Sequence, residues 1–257
     1  MKFLRYESSR GPQYGVLEDD GAVRDLSGCP FGDFDVGASA GQLDGLKLLA
    51  PVAPARVIGV GLNYGSHIEE EGEAAPEIPM LFMLPATTVI GSGEPIVYPR
   101  QGKDVEFEGE FVVVVGKEAR RVPEDQALDY VLGYTCGNDV SERVIQEAEM
   151  NMGCLLVGKG FDTFKPLGPV IATDVDPDNV DLTARVNGEL KQKTNTSDLI
   201  FSAAKLVSYL SESITLQPGD LIYTGTPGGV GSIHPGDTVE IELSGIGVLR
   251  NTVVAEG

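Results

Sequence analysis

Two carboxylates stand directly ahead of an unbroken apolar run: Glu108-Gly109-Glu110 leads into Phe111-Val112-Val113-Val114-Val115. A run of this kind fits a strand buried on both faces better than one with a wet side. Side chains two apart on a strand share a face, so both glutamates point the same way beside a core. Like charges in that position repel each other and lose hydration unless they share a proton or meet a cation. The fold must therefore sandwich this strand between layers and provide for the charge at its end. Locally two outcomes are open: a frayed strand end whose acids face water, or a cation site.

A third carboxylate bears on the choice. Asp139 closes Tyr134-Thr135-Cys136-Gly137-Asn138-Asp139, a strand-like piece feeding a helix expected over 141–148. An aspartate there also suits an N-cap, which stabilises by about 1 kcal/mol, so position alone allows either role. Ligand chemistry narrows the choice by exclusion. The chain has two histidines, His67 and His234, and three cysteines, Cys29, Cys136 and Cys154, with no C-x-x-C spacing. Donors for a nitrogen or sulfur zinc site are poorly supplied, and no disulfide framework is suggested. Carboxylates with open water positions suit Mg²⁺ or Mn²⁺.

The formal net charge of -20, from 39 acidic and 19 basic residues, repels phosphate backbones and anionic lipid surfaces, which argues against nucleic-acid or membrane partners. The acids are spread along the chain and read as a solvated surface. No apolar run approaches the ~18 residues of a membrane span, and Lys2 and Arg5 interrupt the opening too early for a secretory signal. A cytoplasmic protein is expected. A small anionic substrate would have to enter against this field, and a buried cation would offset it locally.

The first fifty residues hold strand-like pieces at 2–6 and 14–17, with Glu18-Asp19-Asp20-Gly21 as a hairpin turn. Pro51 and Pro54 restrict the chain and mark a boundary, giving a small N-terminal domain, 1–53, and a larger domain, 54–257. In the larger part, 56–60 reads as a buried strand, and 238–243 alternates with period two. Asn187-Gly188 suits a type I′ turn between strands at 182–186 and 189–192. Helices are expected over 124–131, opened by Pro123 and ended by Gly133, over 141–148, and over 203–210, capped by Ser202. The class is α+β, mainly β, because the strands do not alternate regularly with long helices.

Ser66 caps an expected short helix that puts His67 and Glu70 three apart on one face. A carboxylate beside an imidazole orients it and raises its basicity, as a general base requires. The same pattern also fits an exposed acidic helix. Two glycine-rich stretches lack nucleotide chemistry. In Gly59-Val60-Gly61-Leu62-Asn63-Tyr64-Gly65 the third glycine comes one residue late for a dinucleotide fingerprint, and Thr224–Gly231 lacks the Gly-Lys-Ser/Thr ending of a phosphate loop. The second stretch can still offer backbone N–H groups and the Thr226 hydroxyl to a carboxylate.

Taken in order, these segments resemble the fumarylacetoacetate hydrolase family over most of 55–254. The matching pieces are Gly61-Leu62-Asn63-Tyr64 followed by His67, the E-x-E ahead of Val-Val-Gly-Lys at Glu108–Lys117, and Asn138-Asp139 with Arg143. Further matches are Lys159-Gly160-Phe161-Asp162, Val186-Asn187-Gly188-Glu189, Asp198–Ser202, Pro218-Gly219-Asp220 and the Thr-Gly-Thr-Pro loop. The resemblance implies a rolled, mostly β catalytic domain, usually in a homodimer, acting on a small carboxylic acid. It implies Glu108, Glu110 and Asp139 as ligands of Mg²⁺ or Mn²⁺, and His67 with Glu70 as a catalytic dyad. Lys159 would meet the substrate near the metal, while Arg143, Gln146 and Thr226 would contact substrate or order the pocket.

Leu62 and Leu84 stand where acylpyruvases and related members often carry Arg and Lys. That departure leans the resemblance toward the branch that isomerises or decarboxylates aromatic ring-cleavage products. The implied function is a metal-dependent isomerase, decarboxylase or C–C bond hydrolase of 2-oxo, 2,4-dioxo or 2-hydroxy-dienoic acids, working through an enolate. The alternatives are an acylpyruvate hydrolase or oxaloacetate decarboxylase, and a non-catalytic protein that binds metal and carboxylate.

Overall fold

The computed structural model describes residues 1–65 and 75–257. Among these, the Gly109–Val115 strand holds a central position in a twelve-stranded sheet, between Val131–Asn138 on one side and Leu221–Tyr223 on the other. Phe111–Val115 are all 0 % exposed, so the strand is covered on both faces as its composition requires. Phe111, Val113 and Val115 belong to one apolar cluster, and Val112 and Val114 to a second. Period-two alternation thus feeds two cores from one strand.

A second, five-stranded sheet closes over the first cluster. Its order is Glu189–Asn195, Asp181–Val186, Thr238–Leu243, Gly247–Ala255 and Ile96–Tyr98. Leu182, Ala184, Ile241, Leu243 and Leu249 from this sheet share a core with Phe111, Val113, Tyr134 and Cys136 from the large one. The Asn187-Gly188 turn has φ of 53° and 82°, the two positive values a type I′ hairpin needs. A three-stranded sheet, Ser141–Glu142, Val105–Phe107 and Gly231–Ser232, lies at the end of the Glu108 segment.

The N-terminal hairpins do not form a separate sheet. Lys2–Ser8 pairs antiparallel with Lys165–Ala172, with Lys2 opposite Ala172 and Phe3 opposite Ile171, so the large sheet runs continuously from Phe34–Gln42 to Met80–Leu84. No helix of the described residues is long and apolar enough to cross a membrane.

Ser202 caps Ala203–Ser213 by accepting from the Lys205 amide, and the helix buries Leu206, Val207 and Leu210. Two other helix expectations need correction. Glu124–Tyr130 is a 3-10 helix with Pro123 at the N-cap, and Val131, not Gly133, ends it because the chain turns there into a strand. The helix expected at 141–148 starts two residues later, as Arg143–Met150. Ser141 and Glu142 are drawn into pairing with Glu106 and Val105, and Glu142 supplies the cap by accepting from the Ile145 amide.

Candidate active site

The strand ends bring the acids together. Gly109 lies opposite Asn138 in the ladder; the Glu108 amide donates to Asn138 Oδ1 at 2.9 Å, and the Asp139 amide donates to the Glu108 carbonyl at 2.9 Å. Gly109 itself faces the five-stranded sheet. A Cβ there would come within 3.0 Å of Gln192 Oε1, 3.1 Å of Ile241 Cδ1 and 3.3 Å of Ala184 Cβ. Because side chains alternate, Glu108 and Glu110 turn the other way. One carboxylate oxygen from each of Glu108, Glu110 and Asp139 lies within 4.8 Å of the others, and all three residues are buried.

Cations surround the cluster, Lys159 and Lys165 buried and Arg143 half-buried. Lys159 Nζ donates to Glu108 Oε2 at 2.9 Å, Asp139 Oδ2 at 2.8 Å and Ser141 Oγ at 2.7 Å. Arg143 reaches Glu106 at 2.5 Å, Glu108 at 2.6 Å and Gln146 at 2.9 Å. Lys165 Nζ lies 2.7 Å from Asp139 Oδ1, yet its protons go to the carbonyls of Lys159, Val140 and Phe164. Asp139 Oδ1 therefore has a charged neighbour but accepts no hydrogen bond.

Burial, followed by the negative charges of Asp139 and Glu108, pushes the Glu110 carboxyl well above the usual carboxylate range. Burial would push Asp139 the same way, but Lys159 and Lys165 hold it below its ordinary value. For Lys159 burial is outweighed by Asp139 and Glu108, which raise it; for Lys165 burial wins and lowers it. The donor set fits a hard divalent cation: three buried carboxylates with no His or Cys among them. A cation at this point would also offset the negative charges of Asp139 and Glu108 that add to burial in raising the Glu110 carboxyl.

The glycine-rich loop after Leu221–Tyr223 completes the floor. Gly225, at φ 103°, donates its amide to Glu110 Oε2 at 2.8 Å, a backbone conformation that favours glycine. Thr226 Oγ1 donates to the Gly109 carbonyl at 2.9 Å and accepts from Gln192 Nε2 at 2.9 Å. Gln192 Oε1 in turn accepts the Gly109 amide at 2.9 Å. Both backbone groups of the residue between the glutamates are thus held by side chains.

A cleft of about 410 Å³ opens over this floor, and Glu108, Asp139, Lys159, Arg143, Gln146 and Thr226 line it. The described metal-ligand, lysine and pocket residues that the resemblance implies therefore lie at one place, with Glu110 in the carboxylate cluster beneath, while Leu84 does not line the cleft. His67 and Glu70, with the proposed cap Ser66, lie outside the described residues. The alternative role for Asp139 does not hold, since Glu142 caps the helix that follows.

Sequence reasoning missed Lys165, Ser141, Gln192 and the anchor Glu149. A charge opening the otherwise apolar Lys165–Ala172 strand was a readable signal for Lys165. Glu149 accepts the amides of Leu156, Val157 and Gly158, shaping the turn that delivers Lys159, and nothing in its local sequence announces this.

The model of the family described as fumarylacetoacetate (FAA) hydrolase C-terminal matches residues 56–254, and that described as Rv2993c-like, N-terminal, matches 1–51. The crystal structure of 5-carboxymethyl-2-hydroxymuconate delta-isomerase from Mycobacterium smegmatis superposes with a TM-score of 0.92 at 42 % identity, covering 100 % of both chains. Fumarylpyruvate hydrolase from Pseudomonas aeruginosa, solved in complex with Mn²⁺ and pyruvate, superposes at 0.75 with 36 % identity over 79 % of this chain and 91 % of that one. The mitochondrial oxaloacetate tautomerase fahd2 of Xenopus laevis is 36 % identical over 99 % of this chain and 90 % of its own length.

Proposed function

We propose that this chain, which belongs to the fumarylacetoacetate hydrolase family, is a Mg²⁺- or Mn²⁺-dependent enzyme that turns over a small 2-oxo, 2,4-dioxo or 2-hydroxy-dienoic acid through an enolate. One observation carries the reading: Glu108, Glu110 and Asp139 bring buried carboxylate oxygens within 4.8 Å of one another, and Glu108 and Asp139 line a cleft that a buried lysine also lines. The named enzymes it resembles support it, since each acts on an acid of this chemistry, and one is seen with Mn²⁺ and pyruvate.

Glu108, Glu110 and Asp139 would hold the cation, with the Gly225 amide and Lys159 fixing their orientation. When bound, it would supply Lewis-acid stabilisation of the charge that develops on the substrate's C2 oxygen. Lys159, anchored by two carboxylates and Ser141, presents its positive charge to the cleft and steadies the same developing anion. Arg143, braced by Glu106, Glu108 and Gln146, orders the adjoining wall. In this reading His67, oriented by Glu70, moves the proton, either to activate water or to shift it along the diene.

Hydrolysis, tautomerisation and decarboxylation share the enolate, so the test is a substrate panel. Acylpyruvates, oxaloacetate and a seven-carbon hydroxydiene diacid are assayed with Mg²⁺, with Mn²⁺ and with a chelator. Turnover of at least one member is expected only with metal. Glu108→Ala and Glu110→Ala are each expected to abolish metal binding in calorimetry while the protein stays folded. Unchanged metal affinity in both variants would falsify the reading.

A further inference from the structure

The cleft has a polar end and an apolar remainder. Apart from the carboxylates and the side chains bound to them, its wall is formed chiefly by Leu62, Met80, Phe82, Met150, Leu155 and Val230. Among the described lining residues only Arg143 and Lys159 are cationic, and each is already paired with carboxylates: Arg143 with Glu106 and Glu108, Lys159 with Glu108 and Asp139. Glu106 also lines the cleft, but it is spent on Arg143, so this pair offers a second anion no free counterion.

Leu62 adds a separate observation. It follows the Val57–Gly61 strand with φ of 54°, in the left-handed region that disfavours side chains with a Cβ. Such strain persists where surrounding structure enforces it, and it is concentrated at functional clefts. Here the strained residue contributes an apolar side chain to the cleft wall. The Asn63 side chain immediately after it is locked by hydrogen bonds to Phe201 and Thr224, which fixes the turn.

We infer that the cleft selects acids whose end remote from the chelating 2-oxo-carboxylate head is uncharged and apolar, and that Leu62 is a residue that sets this preference. The inference rests on the function proposed above for the head group. It separates this chain from an enzyme specialised for diacids, in which the remote carboxylate would need a cation that the described wall does not offer. A carboxylate moved from water against apolar walls loses hydration without gaining a partner.

The test uses inert ligands with one shared head. N-butyloxamate and N-(3-carboxypropyl)oxamate carry the same oxamate group and differ by a neutral or an acidic tail. Their binding to the Mn²⁺-loaded and the chelator-treated protein is measured by calorimetry. Metal-dependent binding is expected, with the neutral tail favoured by at least about 30-fold. Leu62→Arg should narrow that ratio to within about 3-fold or reverse it, because it supplies the missing counterion. Leu62→Gln, which changes polarity without charge, should weaken the neutral-tailed ligand and give the acidic one no gain.

Equal affinities in the wild type, or a ratio unmoved by Leu62→Arg, would overturn the inference while leaving the head-group reading intact. Failure of both oxamates to bind in a metal-dependent manner would overturn that reading and this inference with it.

Discussion

Glu110→Gln is expected to make the metal-free protein more stable while eliminating metal binding. Glu110 is buried, and its nearest oxygen lies within 4.8 Å of those of Glu108 and Asp139. At an effective dielectric of about 20, each such like-charge pair costs about 3.5 kcal/mol. Burial, and after it the charges of Asp139 and Glu108, hold the Glu110 carboxyl well above its ordinary value of 4.5, which favours the protonated form in the folded protein. The sign follows from linkage. Above that value the unfolded chain has released the proton and the folded one has not, so the unfolded state binds fewer protons and stability falls as pH rises.

Wild type should therefore lose about 1.4 kcal/mol per pH unit relative to the variant, from near pH 4.5 up to the raised folded value, and no more beyond it. Glutamine retains an oxygen for the Gly225 amide, so that hydrogen bond survives. The assay is urea unfolding in chelator at several pH values between 5 and 8, paired with Mn²⁺ calorimetry. A variant no more stable than wild type at the top of that range, or one that still binds Mn²⁺ as tightly, would refute the reasoning.

Gln192→Leu removes three hydrogen bonds, to Gly109, Thr226 and Pro227, and leaves the Gly109 amide buried and dry; it should cost roughly 2–5 kcal/mol in urea unfolding and weaken Mn²⁺ binding. An intact metal affinity would show that the E-x-E backbone does not need this brace. Glu149→Gln should raise amide exchange at Leu156, Val157 and Gly158 by at least about tenfold, since a charge-assisted acceptor becomes a neutral one. Although burial opposes it, those three amides hold Glu149 below its ordinary value, so its stabilisation of the turn is present above the unfolded pKa and is lost as pH falls through the depressed folded one. His67→Ala should lower kcat for acylpyruvate hydrolysis by ~10²–10⁴-fold with metal binding retained. Oxaloacetate decarboxylation, which needs no activated water, should fall much less; equal losses on both substrates would make His67 a pocket-closing residue.

Particular residues show where sequence suffices. Phe111–Val115 read as a doubly covered strand, which it is, and period two put Glu108 and Glu110 on one side of it. Asn187-Gly188 specified its turn because few residues tolerate two positive φ angles, and Ser202 specified a helix start because its hydroxyl can satisfy an orphan amide. These are local properties, decided within a few residues of backbone. The N-terminal hairpins were legible as strands, but their union with the large sheet was not, since the Lys2–Ala172 pairing spans most of the chain.

The site followed the same division. Its acids could be named from their place at strand ends; position alone left Asp139 as either ligand or cap, the family resemblance implied the ligand, and the ladder, by putting Ser141 and Glu142 into a strand, hands the cap to Glu142. Gln192 and Glu149 act on groups far from them in sequence or through a turn with no motif, so nothing local marks them, whereas Lys165 is marked as the charge opening an apolar strand although its partner Asp139 is not. What the sequence determined by itself was which carboxylates exist and how each strand must face. Only the tertiary structure decided that those carboxylates meet, because their convergence depends on long-range register, and on it depends whether three buried charges repel or share one cation.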